Sequence, residues 1–139
     1  MAEKFYGKYR GIVTAVDNSE GMWKIKASVP KLLGGYNTGW ALPCLSFAFG
    51  NAKAGWTVTK GDTVWIEFEG GDIDFPIWTG GWFKKGEAPS YSGICINGVL
   101  LEWVNGGIKV HGSLNVGGID FAKHTHGVTE GASSTGVPK

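Results

Sequence analysis

The sequence predicts an all-β chain in two parts, a small closed barrel followed by a short β extension, and three observations lead there. Glycine supplies 24 of the 139 residues and proline only 5, where average usage would give about 10 glycines. These glycines stand between short apolar runs, the pattern of tight turns joining short strands. Elsewhere apolar and polar residues alternate with the period of two that a half-buried strand requires, and amphipathic helical periodicity is nearly absent. Finally, the charged, breaker-rich stretch Lys84-Lys85-Gly86-Glu87-Ala88-Pro89-Ser90 separates two halves of different character and reads as a linker.

The first half, residues 1–83, divides into strands in order. Phe5 to Val16 reads as the first, closed by the turn cluster Asp17-Asn18-Ser19-Glu20-Gly21. Met22 to Val29 is the second: Trp23, Ile25, Ala27 and Val29 share one face, Lys24, Lys26 and Ser28 the other, and Pro30 ends it. Leu32 to Tyr36 and Thr38 to Pro43 form a glycine-rich connection with a short strand. Leu45 to Lys53, flanked by glycines, is the one helical candidate. Val64 to Glu69 is a strand, Gly70 to Asp74 a polar hairpin loop, and Phe75 to Phe83 the return. Five strands with one interrupted connection suggest a closed Greek-key barrel of the OB type.

Composition and motifs exclude several functions. A formal net charge of +1 gives no basic field for non-specific nucleic-acid binding. Cys44 and Cys95 belong to no zinc or redox spacing and are expected to be reduced and buried. Met1-Ala2-Glu3-Lys4 lacks the basic and apolar opening of a signal peptide, and no apolar run would span a bilayer, so synthesis in a cytoplasm is expected. Asp62, Glu67, Glu69, Asp72 and Asp74 flank a hairpin and read as solvated turn and strand-edge groups. No Gly-x-Ser-x-Gly, Walker or Rossmann pattern is present, and no enzymatic activity is expected. Tyr6, Tyr9, Trp23 and Phe68 would stack on bases or sugars if the chain were an OB module for single-stranded nucleic acid or glycan, the alternative reading, but a barrel of this size needs many of them in its core.

The second half poses a physical problem. Short β runs at 94–96, 99–103, 108–111 and 114–116 are split by Asn97-Gly98 and Asn105-Gly106-Gly107, strong hairpin or corner signals. Residues 91–121 carry Ile94, Ile96, Val99, Leu100, Leu101, Trp103, Ile108, Val110, Leu114 and Val116, yet a segment this short cannot bury them alone and has no disulfide framework. Symmetric assembly, copies wrapping round one axis and closing each other's edges, is the economical solution. The alternative is that these strands dock on the chain's own barrel.

The spacing Val58-x-Lys60-Gly61-Asp62-x-Val64-Trp65-x-x-Phe68-Glu69-x-Gly71-Asp72-x-x-x-Pro76-x-x-x-Gly80-x-Trp82 resembles the baseplate assembly protein V family of contractile phages, which includes the OB domains of central spikes and of type VI secretion spikes. Phe5 to Val13, Lys26 to Pro30 and Trp40 to Cys44 are similar to it too, so the resemblance covers residues 5–83. It implies a homotrimer: an OB-fold collar at 1–83 bound to the tail hub protein, a linker at 84–90, a short intertwined β-helical spike at 91–121 and a tip at 122–139. The shared core would draw on Ile94, Ile96, Leu100, Trp103, Ile108, Val110, Leu114 and Val116. Such a chain belongs to a virion tail or injection particle, contacts the host envelope transiently and either works alone or carries a further tip or effector protein. These residues carry no lysozyme domain, so a cell-wall-degrading role is not expected.

Lys123-His124-Thr125-His126-Gly127 resembles the C-terminal tip of short spikes in the same family. His124 and His126 project from one face of an extended strand. Two imidazoles alone make a weak site, and solvated tail residues are the plain alternative. Three copies on a three-fold axis would offer six, which suits iron better than zinc, and the resemblance implies iron at the apex. His111, alone in an alternating strand, reads as a surface or packing residue.

Overall fold

The computed structural model describes residues 3–123 and separates into two compact units, one ending at Ala88 and the next beginning at Pro89.

In the first unit, β1 (Tyr9–Asp17), β2 (Lys24–Ser28), β6 (Thr63–Phe68), β7 (Pro76–Thr79) and the two-residue β3 (Leu42–Pro43) form one sheet in the order β2-β1-β6-β7-β3. The pairs β1–β2, β1–β6 and β6–β7 are antiparallel, and β3 runs parallel to β7 with Leu42 opposite Ile77. A bulge between Val13 and Ala15 adds one residue to β1, which increases local twist. The stretch leading into β3 also bonds β2: Ile25 and Ala41 exchange backbone bonds of 3.1 and 2.7 Å, and the Thr38 amide donates to the Ala27 carbonyl at 2.8 Å. The sequence 37–43 thus touches β2 at one end and β7 at the other.

Alternation sets the core. Val64, Ile66 and Phe68 point in from β6, and Thr63, Trp65 and Glu67 point out. With Val13, Ile25, Ala27, Val29, Ala41 and Trp78 they make the buried cluster, against which Phe5, Tyr9, Trp23, Leu32, Leu33, Val58 and Ile73 pack. A single helical turn, α1 (Pro30–Leu33), follows β2 with proline in its first turn, where the missing N–H costs no helical bond.

Two expectations are corrected in this unit. Residues Leu45 to Lys53 form no helix. β4 (Phe47–Ala48) and β5 (Lys53–Ala54) pair as a small hairpin, its turn closed by the Phe49 amide on the Ala52 carbonyl at 2.8 Å. Glycines at 50 and 55 and the alternating Phe47 and Phe49 favour that turn over a helix. Cys44 is exposed rather than buried: it follows β3 with its amide on the Trp78 carbonyl and its side chain outward.

The turn after β1 is held by charge. Asp17 accepts the Ser19 amide at 2.8 Å, and the Lys24 ammonium meets both Asp17 and Glu20. Hydrogen bonding to Ser19, with Lys24 nearby, lowers the Asp17 pKa below its ordinary value. Its small contribution to stability is therefore present above the usual carboxylate pKa and is lost as pH falls through the lowered one.

The second unit contains β8 (Gly93–Ile96), β9 (Val99–Val104) and β10 (Gly107–His111) as an antiparallel meander in the order β10-β9-β8. A hairpin of β11 (Asn115–Val116) and β12 (Ile119–Asp120) follows. Asn97 and Gly98 take φ of 50° and 82°, the left-handed pair that a two-residue hairpin needs. Cys95 is exposed too, opposite Leu100.

Gly93 is fixed by close approach. A Cβ there would collide with the Leu101 carbonyl oxygen, a backbone atom that cannot step aside. Gly93→Ala is therefore expected to peel the start of β8 from β9, read as lost amide protection at Trp103, which donates to the Ser92 carbonyl at 2.8 Å. Unchanged protection at Trp103 would contradict this packing.

Candidate functional site

Residues directly opposite one another in an antiparallel pair project from the same face of the sheet. In the β8–β9–β10 meander, Ile94, Leu101 and Val110 form one such row, Ile96 pairs with Val99, and Trp103 pairs with Ile108. These rows alternate with Gly93–Glu102–Lys109 and Cys95–Leu100–His111. One face therefore carries seven apolar side chains and nothing polar. The other carries Glu102, Lys109, His111, Cys95 and Leu100.

In a single chain the apolar face lies open: Ile94 is 42% exposed, Trp103 50% and Ile108 61%. Val116 on β11, Ile119 on β12 and Leu114 just before them are exposed as well. Of the side chains expected to form a shared core, Ile94, Ile96, Trp103, Ile108 and Val110 fall on this one surface. Leu100 falls on the opposite face, and Leu101 and Val99 take their places beside the isoleucines. The register that the Asn97-Gly98 turn imposes was the signal for that exchange.

The polar face is internally satisfied. His111 Nε2 lies 2.6 Å from Glu102 Oε2. A hydrogen bond between the Tyr91 hydroxyl and Cys95, reinforced by burial, raises the pKa of the phenol. Among the described residues no group of three or more His, Cys, Asp or Glu is placed to hold a metal ion. His124 and His126 lie outside the described residues.

The first unit presents a second surface. The β4–β5 hairpin stands between two open clefts of about 490 and 500 Å³, and both include Leu45, Phe47, Ala54 and Gly55 in their walls. Phe47, Phe49 and Trp56 are each more than half exposed there. On the strand face outside the core, Arg10 lies over Trp65 and Trp82, 5.8 and 5.2 Å from the ring centroids. Lys8 pairs with Glu67 at 2.7 Å.

The carboxylates near the β6–β7 hairpin have local tasks. Asp62 accepts the Thr59 amide at 2.7 Å and Asp72 accepts the Asp74 amide at 3.0 Å. Nor do the four aromatics proposed for stacking form a platform: Phe68 is in the core, Tyr9 and Trp23 pack against it, and Tyr6 stands apart at 69% exposure.

No curated protein matches the chain at significant similarity. A family model does: the type VI secretion system/phage-baseplate injector OB domain matches residues 9–83, more than half of the chain and spanning β1 to the segment after β7. That match joins the β1–β2–β6–β7 sheet, its core and the β4–β5 hairpin into one recognised unit, and the chain belongs to the phage-baseplate and type VI injector OB-domain family.

Proposed function

We propose that this chain is a non-enzymatic spike subunit: a homotrimer whose OB domain is the collar that meets the tail hub and whose residues 91–121 form the shared, intertwined spike of a membrane-piercing tip. The family supplies a structural baseplate role in a tail-associated particle. The piercing role, the trimer and the host envelope as target are the further step. A closed barrel belongs to the same reading, supported by the bonds of residues 37–43 to both β2 and β7. The exposed aromatics of the β4–β5 hairpin suit a protein neighbour such as the hub.

The observation that carries this reading is the one-sided apolar sheet. Five of its side chains, Ile94, Ile96, Val99, Trp103 and Ile108, are 38 to 61% exposed in a lone chain. Full burial of one such side chain contributes about 1.5–3 kcal/mol, so covering the exposed half of five is worth about 5 kcal/mol per copy. Nothing in a tail that must cross an envelope gains from leaving that surface in water, and a neighbour carrying the same surface can cover it.

At the tip, His124 and His126 from three copies would supply six imidazoles, a donor set suited to iron. A bound ion would pin three chain ends together and stabilise the assembled form by mass action. Elemental analysis of the purified full chain is expected to give one iron per three chains, lost in His124→Ala and His126→Ala. A metal-free trimer, or iron that survives both substitutions, would remove the tip site.

A further inference from the structure

The outer face of the first unit's sheet treats its cations in two ways. Lys8 and Lys24 are matched by carboxylates, Glu67 for the one and Asp17 with Glu20 for the other. Arg10 and Lys26 are matched by indoles instead: the Arg10 guanidinium lies over Trp65 and Trp82, and the Lys26 ammonium over Trp40. Neither of these two side chains has an ion pair or a hydrogen bond among the described residues. Both belong to the solvent side, since the residues next to them in the strands, Gly11, Ile25 and Ala27, are buried. Arg10 is also the only arginine among the 13 basic residues of the chain.

We propose that Arg10, with Trp65 and Trp82, is a carboxylate-binding site on the OB domain. Its occupant is an extended protein segment carrying acidic side chains, and Lys26 on Trp40 is the second contact. Charge complementarity selects this occupant. A guanidinium set against aromatic rings still presents planar N–H donors at its edge, a fork that matches a carboxylate with two parallel bonds. The rings hold that fork in place before any partner arrives, so less freedom is lost on binding. Arginine and tryptophan are also the residue types that dominate binding energy at protein interfaces. A nucleic-acid backbone fits less well, because its binding draws on many phosphate contacts and this face offers only Arg10 and Lys26 without a carboxylate. The site lies within the OB domain and does not depend on the trimeric reading.

The register sets the spacing of the acidic groups. Arg10 stands opposite Trp65, Ile12 opposite both Ser28 and Thr63, and Lys26 opposite Ala15 beyond the bulge. Arg10 and Lys26 are thus about four residues apart along the strands and one strand apart across them, or about 14 Å. An extended segment spans that distance with carboxylates about four residues apart. Glu67, two residues from Trp65 on the same face, is held by Lys8 at 2.7 Å and leaves Arg10 to a partner.

The test titrates the isotope-labelled full chain with a capped Glu-Thr-Ser-Thr-Glu peptide and follows the indole N–H signals of Trp40, Trp65 and Trp82 by nuclear magnetic resonance. A Gln-Thr-Ser-Thr-Gln peptide and a thymidine oligonucleotide are the rivals. The expected result is movement of these signals with the glutamate peptide and not with the glutamine one. Arg10→Lys keeps the charge and loses the fork, so it should weaken binding about fivefold or more. Lys26→Gln should silence Trp40 while Trp65 and Trp82 still respond. No movement at millimolar peptide, an equal response to the glutamine peptide, or undiminished binding in Arg10→Lys would overturn the site. An oligonucleotide that displaces the glutamate peptide would overturn the protein occupant. The light-scattering mass of the same sample reports on the trimer separately, so either reading can fail alone.

Discussion

Ile108→Glu is expected to convert the assembled protein to single chains whose OB domain stays folded. Ile108 is 61% exposed in the lone chain, so a glutamate there meets water and costs little. Ile108 is the cross-strand neighbour of Trp103, and in the proposed trimer this position would face the shared interior. Three carboxylates brought together there would each face a desolvation penalty of several kcal/mol with no cation to meet them. That is of the same size as what the apolar contacts return, about 5 kcal/mol per copy on the half-exposed side chains, and the substituted position no longer contributes its own share. Light scattering should show the mass fall to that of one chain, while far-ultraviolet circular dichroism stays that of a β protein. Lys109→Glu provides the control, since Lys109 is adjacent in sequence but belongs to the opposite face. It should leave the mass unchanged. A trimer that tolerates glutamate at 108 would place this face outside the interface.

Trp78→Ala is expected to be the most damaging single change in the OB domain. Trp78 is 4% exposed, lies opposite Ile66 in β7 and donates its indole N–H to the Trp23 carbonyl at 3.1 Å. Removing a buried tryptophan costs about 3–5 kcal/mol in lost transfer energy and cavity. The Trp23 carbonyl loses its donor as well. Against a typical total of about 5–15 kcal/mol for a domain, this is a large fraction. The urea midpoint should drop by about 2 M, taking a slope of about 2 kcal/mol per molar. Trp40→Ala is the comparison. Trp40 is 41% exposed and holds Lys26 over its ring at 4.9 Å, a contact worth about 0.5–1 kcal/mol at such a site. Equal losses at the two positions would contradict the division between inside and outside.

Legibility from sequence followed the length of the pattern. Val64 to Phe68 could be read because three inward apolar residues alternate with two outward ones, and β6 covers that span. Asn97-Gly98 could be read because few dipeptides adopt two left-handed conformations in a row. The β4–β5 hairpin could not: strands of two residues have no periodicity to detect, and Leu45 to Lys53 carries enough alanine and leucine to suggest a helical turn. The run Val99-Leu100-Leu101 hides its own register, because three consecutive apolar residues fit either face. Only counting outward from the turn shows that Leu101, not Leu100, joins Ile94. Cys95 was misjudged on residue type alone. Its place between Ile94 and Ile96 already put it on the other side of the strand.

The candidate surface was legible as a surplus before it was legible as a face. The sequence shows too many apolar side chains for so short a segment, and the meander adds that seven of them share one side while Glu102, Lys109 and His111 share the other. That segregation turns a general need for cover into a specific geometry for self-association.

The most direct test is the solution mass of the full-length protein, by light scattering coupled to size exclusion at micromolar concentration. The account predicts three times the 14.8 kDa of one chain. A stable single chain at that concentration, with the Trp103 and Ile108 side chains in water, would contradict it.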